Sequence, residues 1–251
     1  MLSWLLTCLL ASLLHPLGEG TKIIGGREAK RHSRPYIALL NTDDYICGGT
    51  LIKSDWVLTA AHCSCNSSTK IKLGIHSLTA EDEYVQTFKA KKCIKHKFNK
   101  ATFDNDLQIV QLSGKAQQTK AVKILSLPNI FSDVKEGTVC DTAGWGAITS
   151  NGLTFPNKLM EVKLPAISRK SCAEKWKPDV KITENMMCTF DATGEKDICG
   201  GDSGGPLLCN NKLRGIVSFG AEKCGDCELS SVYTFLTKAY VNWIKEKIIK
   251  K

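Results

Sequence analysis

Three residues far apart in the chain could together carry out nucleophilic catalysis. Ser203 lies in Gly200-Gly201-Asp202-Ser203-Gly204-Gly205-Pro206, where glycines on both sides free the backbone to adopt the unusual dihedrals that expose a serine hydroxyl. A flexible Gly/Ser linker can look similar, but Cys199 stands just before this run and Leu207, Leu208 and Cys209 follow it. A serine hydroxyl is a weak nucleophile until an adjacent base activates it and a third group orients that base. The candidate base is His62, in Thr59-Ala60-Ala61-His62-Cys63, directly after the apolar, strand-like Trp56-Val57-Leu58. The candidate orienting group is Asp106, in Asp104-Asn105-Asp106-Leu107, which opens the largely apolar run Leu107 to Leu112. Alone, His62 reads as a structural histidine beside a core strand, and Asp106 as a strand-start aspartate. Their value lies in the combination.

The order His62, Asp106, Ser203 is that of the chymotrypsin-like triad and differs from the orders in subtilisins and α/β-hydrolases. With it, the chain resembles the trypsin/chymotrypsin family of serine endopeptidases from Ile23 to about Trp243. Ile23-Ile24-Gly25-Gly26 resembles the family's mature N-terminus, Cys47-Gly48-Gly49-Thr50-Leu51-Ile52 the strand before the histidine, and Ala143-Gly144-Trp145-Gly146 the landmark of the second domain. His32-Ser33-Arg34-Pro35-Tyr36 resembles the granzyme and mast-cell-protease branch of leukocyte granule proteases.

The resemblance implies an all-β fold of two six-stranded antiparallel barrels with the active site in the cleft between them. Barrel one would span about 23–125, barrel two about 126–237, and a C-terminal helix 238–250, within a peptidase domain at 23–248. It further implies that Ser203 attacks a peptide carbonyl, that His62 relays the proton, and that Asp106 holds the imidazole. The N–H groups of Gly201 and Ser203 would form the oxyanion hole, and Ser218, Phe219 and Gly220 the strand that pairs with substrate. Cleavage between Lys22 and Ile23 would free an ammonium to pair with Asp202, so the uncleaved chain would be a zymogen requiring an activating protease. Asp197, six residues before Ser203, resembles the base of a trypsin-type pocket, implying cleavage after Lys or Arg. Ile198 and Ser231 are bulkier than the family pattern and would narrow that pocket, leaving a non-tryptic specificity as the alternative. The implied partners are protein substrates, with no nucleic acid, metal or organic cofactor.

Composition is consistent with this reading. At 251 residues, 43% hydrophobic and 24% charged, the chain is ordinarily globular. Residues 1–20 read as a secretory signal peptide, with an apolar run from Leu5 to Leu14 roughly half the ~20 residues a membrane span needs; residues 21–22 read as a short propeptide. The expected location is secreted or granular, a compartment in which the twelve cysteines can keep disulfides. Spacing alone does not fix their pairing. The resemblance implies Cys47 with Cys63, Cys140 with Cys209, Cys172 with Cys188 and Cys199 with Cys224. With Cys8 leaving in the leader, Cys65, Cys93 and Cys227 remain. That odd number predicts a reactive thiol or a disulfide-linked dimer, with Cys227 the leading candidate and a Cys65–Cys93 bridge beside it. A zinc site at Cys63-x-Cys65 or Cys224-x-x-Cys227 falls short of about four converging ligands.

Behind the three candidate residues the chain reads as two sets of short strands. The first runs through Tyr36 to Leu40, Cys47 to Ile52, Lys70 to Gly74, Tyr84 to Phe88 and Leu107 to Leu112. The second comprises Thr138 to Gly144, Leu159 to Leu164, Met186 to Thr189, Gly205 to Cys209, Leu213 to Phe219 and Ser231 to Leu236. Val241, Ile244 and Ile248 at helical spacing predict the closing helix. Asn66-Ser67-Ser68 is a glycosylation sequon in a turn. The excess of 34 Lys and Arg over 25 Asp and Glu, a net +9, suggests polyanion or proteoglycan binding. A catalytically inactive binding homologue is the rival reading, and it would most simply lack a triad member; none is missing.

Overall fold

The structure, a computed structural model, describes residues 24–43 and 45–249. The expected leader and propeptide, with Lys22 and Ile23, lie outside the described residues, as does Lys250 at the end of the expected helix. Six strands form the first barrel: β2 (Ile37–Asn41), β3 (Ile46–Lys53), β4 (Trp56–Thr59), β5 (Lys70–Leu73), β6 (Gln86–Lys95) and β7 (Gln108–Leu112). They close antiparallel in the order β2-β3-β4-β7-β6-β5. The second barrel contains β8 (Val139–Gly144), β9 (Met160–Ile167), β10 (Met186–Thr189), β11 (Pro206–Cys209), β12 (Lys212–Phe219) and β13 (Ser231–Phe235). Its order is β9-β10-β13-β12-β11-β8, closed by the pairing of β8 with β9. The two-residue strand β1 (Arg27–Glu28) lies on β9, so the start of the described chain is tied to the second barrel.

Side-chain alternation explains why these segments are strands. In β9, Met160, Val162, Leu164 and Ala166 are buried while Lys163 is exposed, the period of two that a strand with one face on a core requires. β6 runs well past the expected Phe88 because its second half, Lys89-Ala90-Lys91-Lys92-Cys93-Ile94-Lys95, is dominated by exposed lysines. Those lysines hid the pattern. Helix α1 (Arg169–Trp176) was not anticipated; it buries only Cys172 and Trp176, too few residues to show a period, and its start is fixed by the Ser168 hydroxyl accepting from the Ser171 N–H. The closing helix α2 (Lys238–Ile249) is where the sequence placed it, and Tyr240, Val241 and Ile244 are its buried residues.

Tyr240 and Ile244 join a core that also contains Leu58, Leu107 and Ile109 of the first half and Leu213 and Ile216 of β12. At roughly 1.5 to 3 kcal/mol for each large apolar side chain buried, this cluster binds the end of the chain to the joint between the barrels. All four implied disulfides form, and Cys65 bridges Cys93 as well. Cys227 is also disulfide-bonded, so the expected reactive thiol is not seen among the described residues. Spacing could not have shown this.

Candidate active site

The turn after β4 carries His62, and Gln108 of β7 holds that turn by donating to the carbonyls of Ala60 and Cys63, each at 3.0 Å. Asp106 lies just before β7 and is fully buried. One of its carboxylate oxygens accepts the His62 main-chain N–H at 2.8 Å, and the other stands 2.7 Å from His62 Nδ1. The second oxygen also accepts the Ser218 hydroxyl at 2.6 Å. A carboxylate so placed fixes the ring's orientation and favours the tautomer with its proton on Nδ1, in which Nε2 is the acceptor. Ser218, expected among the substrate-facing residues, thus turns its side chain toward Asp106.

Ser203 arrives from the second barrel. Its main-chain carbonyl accepts from Gly48 N in β3 at 2.7 Å, and Gly204 N donates to Val217 O in β12 at 2.9 Å, which pins the serine turn between the barrels. Gly204 has φ +79°, and a Cβ there would lie 2.1 Å from Thr59 Oγ1. No other residue fits. Gly201 has φ +101°, a region closed to ordinary side chains. Between them Asp202 is buried, its carboxylate accepting from the main-chain N–H groups of Gly146 at 2.8 Å and Cys199 at 3.0 Å. Burial pushes its pKa from 3.8 up to about 6 against the pull of those two bonds. Among the described residues no cation pairs with it.

Asp197 is buried too, and burial raises its pKa against three donors: Ile198 N at 2.8 Å, Gly225 N at 2.9 Å and the Ser231 hydroxyl at 2.5 Å. Ile198 shares a buried cluster with Met160, Val217 and Tyr233, so it belongs to the second barrel's core. Phe219 is half-buried, with the Phe103 ring 5.0 Å and the Trp176 ring 5.2 Å away, while a Cβ on exposed Gly220 would meet open space. Asn66 is exposed and donates to Asp43 at 2.8 Å. The Cys47 and Cys63 sulfurs approach His62 closely, but they are bonded to each other and offer no thiolate to a metal.

Sequence reasoning missed several supports. Thr234 donates to the Asp106 carbonyl at 2.8 Å, and Tyr240 to Asn105 Oδ1 at 3.0 Å. The only available signal was the run Asp104-Asn105-Asp106, three side chains in succession that each needed a partner.

Two six-stranded antiparallel barrels meeting at these residues give the architecture of a serine endopeptidase. The trypsin family model matches residues 23–244. Bovine (Bos taurus) granzyme A is 44% identical over 90% of this chain and 88% of that protein. Sheep (Ovis aries) mast cell protease 3 is 40% identical over 94% of this chain and 93% of its own length. Chicken (Gallus gallus) trypsin I-P1 is 41% identical over 90% and 89%. The chain belongs to the trypsin family and is a serine hydrolase acting on peptide bonds.

Proposed function

We propose that the protein is a secreted or granule-stored endopeptidase, made as a zymogen, that cleaves after Lys or Arg. Ser203 adds to the scissile carbonyl carbon while His62 Nε2 takes its proton. The tetrahedral oxyanion sits against the N–H groups of Gly201 and Ser203. Collapse expels the amine, which receives the proton from His62, and water then releases the acyl group by the same relay. Asp106 holds the ring and stabilises its cation. The observation that carries this reading is the double grip of one buried carboxylate on both the ring and the main chain of His62.

The test is Ser203→Ala and His62→Ala, each expected to lower kcat on a peptide substrate by about 10⁶, as in subtilisin, and Ser203→Ala to abolish labelling by a fluorophosphonate. Substantial turnover by either variant would remove that residue from the mechanism. Activation by cleavage before Ile23 and pairing of its ammonium with Asp202 belong to the same proposal, as does glycosylation at exposed Asn66.

A second role rests on β6. Lys89, Lys91, Lys92 and Lys95 are all exposed, and Lys70 of β5 stands opposite Lys89. Like charges facing across a ladder repel, and a sulfated polysaccharide would relieve that repulsion. Exchanging these lysines for glutamine should lower the salt needed for elution from a heparin column; unchanged elution would exclude the strand.

A further inference from the structure

The turn between β6 and β7 presents Asp104, Asn105 and Asp106 in succession, and each is gripped by a different part of the second half of the chain. Asp104 Oδ1 accepts from Thr183 Oγ1 at 2.9 Å and from Asn185 Nδ2 at 3.1 Å, both just before β10. Asn105 Oδ1 accepts from the phenol of Tyr240 in α2 at 3.0 Å. Asp106 accepts from Ser218 of β12 and, through its carbonyl, from Thr234 of β13. The first barrel supplies the aspartate and its two bonds to His62, and the second half of the chain supplies two more bonds to Asp106 and those that hold its neighbours Asp104 and Asn105.

Asn105 is the pivot of this arrangement. Its backbone lies in the left-handed region, φ +59°, which asparagine tolerates better than most residues. The Leu107 N–H closes the turn on the Asn105 carbonyl at 2.7 Å, and the His96 N–H donates to the Leu107 carbonyl at 2.8 Å. Asp106 is therefore carried on a turn held on one side by Tyr240. On the other it is held by His96, whose ring stands edge-on to Tyr240 at 5.1 Å and to Trp243 at 4.9 Å. Burial lowers the His96 pKa, which favours the neutral ring inside the aromatic stack.

Docking of α2 does not need the phenol hydroxyl. The Tyr240 ring, Val241 and Ile244 are buried apolar surface, and phenylalanine at 240 would bury the same ring. Among the described residues, the hydrogen-bonding use of that hydroxyl is Asn105.

We propose that Tyr240 and Asn105 are positioning residues for Asp106, and that the C-terminal helix, through this phenol–amide contact, fixes the turn that aims the carboxylate at His62. The proposal rests on the His62, Asp106, Ser203 reading. Misplacement by about 1 Å from a remote change can cost on the order of 10² in rate, and here Ser218 and Thr234 still hold Asp106, so the expected loss is smaller.

The experiment uses the activated full-length protein and a peptide amide substrate. Tyr240→Phe should lower kcat about tenfold and leave KM unchanged, with the thermal midpoint falling by only about 2 to 4 °C for the lost hydrogen bond. Asn105→Gly, which keeps the left-handed turn but deletes the amide together with its bonds to Asp104 and His96, should lower kcat by at least as much. The decisive measurement is Tyr240→Phe in an Asp106→Asn background, where no further loss is expected, because residues acting through one group are not additive. Undiminished kcat in Tyr240→Phe, a loss expressed in KM alone, or the same tenfold loss in the Asp106→Asn background would each overturn the proposal. Full activity of Asp106→Asn by itself would overturn the triad reading, and the positioning role with it.

Discussion

Asp106 and Asp202 are both shut away from water, at 0% and 1% exposure, yet their surroundings differ. Asp106 faces an imidazole, a main-chain N–H and a hydroxyl, at 2.7, 2.8 and 2.6 Å, and an imidazole is a group able to carry positive charge. Asp202 has two main-chain N–H groups and, among the described residues, no cation; burial prevails and its pKa climbs to about 6. A buried carboxylate without a charged partner is costly. The half of the site built on the first barrel is therefore electrostatically complete, whereas the half carrying Ser203 has a place for one positive charge.

The comparison is tested most severely at Asp106. Asp106→Asn keeps the shape but puts an amide where Nδ1–H needs an acceptor, and a loss of about 10⁴ in kcat is expected, as in the trypsin-like case. Steady-state kinetics at neutral pH would show it. A loss of less than about tenfold would mean that the carboxylate does not orient His62, and that the two aspartates differ only in their neighbours.

At Asp202 the expected effect is smaller and has a sign. A folded-state pKa of about 6 against the ordinary 3.8 means that the folded protein holds this proton more tightly than the unfolded chain. The associated stability is fully present below about pH 4 and is lost as pH rises through about 6. At about 1.4 kcal/mol per pH unit, the loss is of order 3 kcal/mol. The uncleaved chain should accordingly melt at progressively lower temperature from pH 4 to 7, and Asp202→Asn should flatten the trend. Protein cleaved before Ile23 should also show a flatter profile, since its new ammonium favours the ionised carboxylate. Identical melting profiles for cleaved and uncleaved protein would break the contrast and the zymogen proposal together.

How much of this was legible in the sequence follows from what each residue does. His62, Asp106 and Ser203 stand beside strands or glycines whose patterns are local, and the chain order added the rest. The barrels were readable wherever apolar residues alternate or cluster, as in β9 and β7. They were not readable in the lysine-rich half of β6, where the buried face is confined to Ala90 with half-buried Cys93 and Ile94. Helix α1 escaped because two buried residues make no period. The contacts of Tyr240 with Asn105 and of Thr234 with the Asp106 carbonyl span more than a hundred residues, and no spacing rule joins such distant positions. The contact of Ser218 with Asp106 escaped for the same reason: its hydroxyl points at a carboxylate 112 residues away.

A third buried aspartate sharpens the comparison by the smallest expected effect. Asp197 has only neutral donors, as Asp202 does, and burial raises its pKa; on the proposed reading its missing cation is the substrate's Lys or Arg side chain. The Ser231 hydroxyl occupies one carboxylate oxygen at 2.5 Å. That bond takes an acceptor position and adds bulk, which disfavours a planar guanidinium needing two parallel bonds more than a slender ammonium. Ser231→Gly should therefore raise the Arg-to-Lys ratio of kcat/KM, by about threefold to tenfold, at a stability cost of roughly 0.5 to 1 kcal/mol for a glycine within a strand. Matched Arg, Lys, Met and Phe amide substrates measure it. An unchanged Arg-to-Lys ratio would mean that Ser231 does not shape the approach to Asp197. Equal rates on all four substrates, before and after the change, would mean that Asp197 is a buried structural acid whose charge is satisfied by its neutral donors, the Ile198 and Gly225 N–H groups and the Ser231 hydroxyl, and that of these three buried aspartates Asp202 alone awaits a cation.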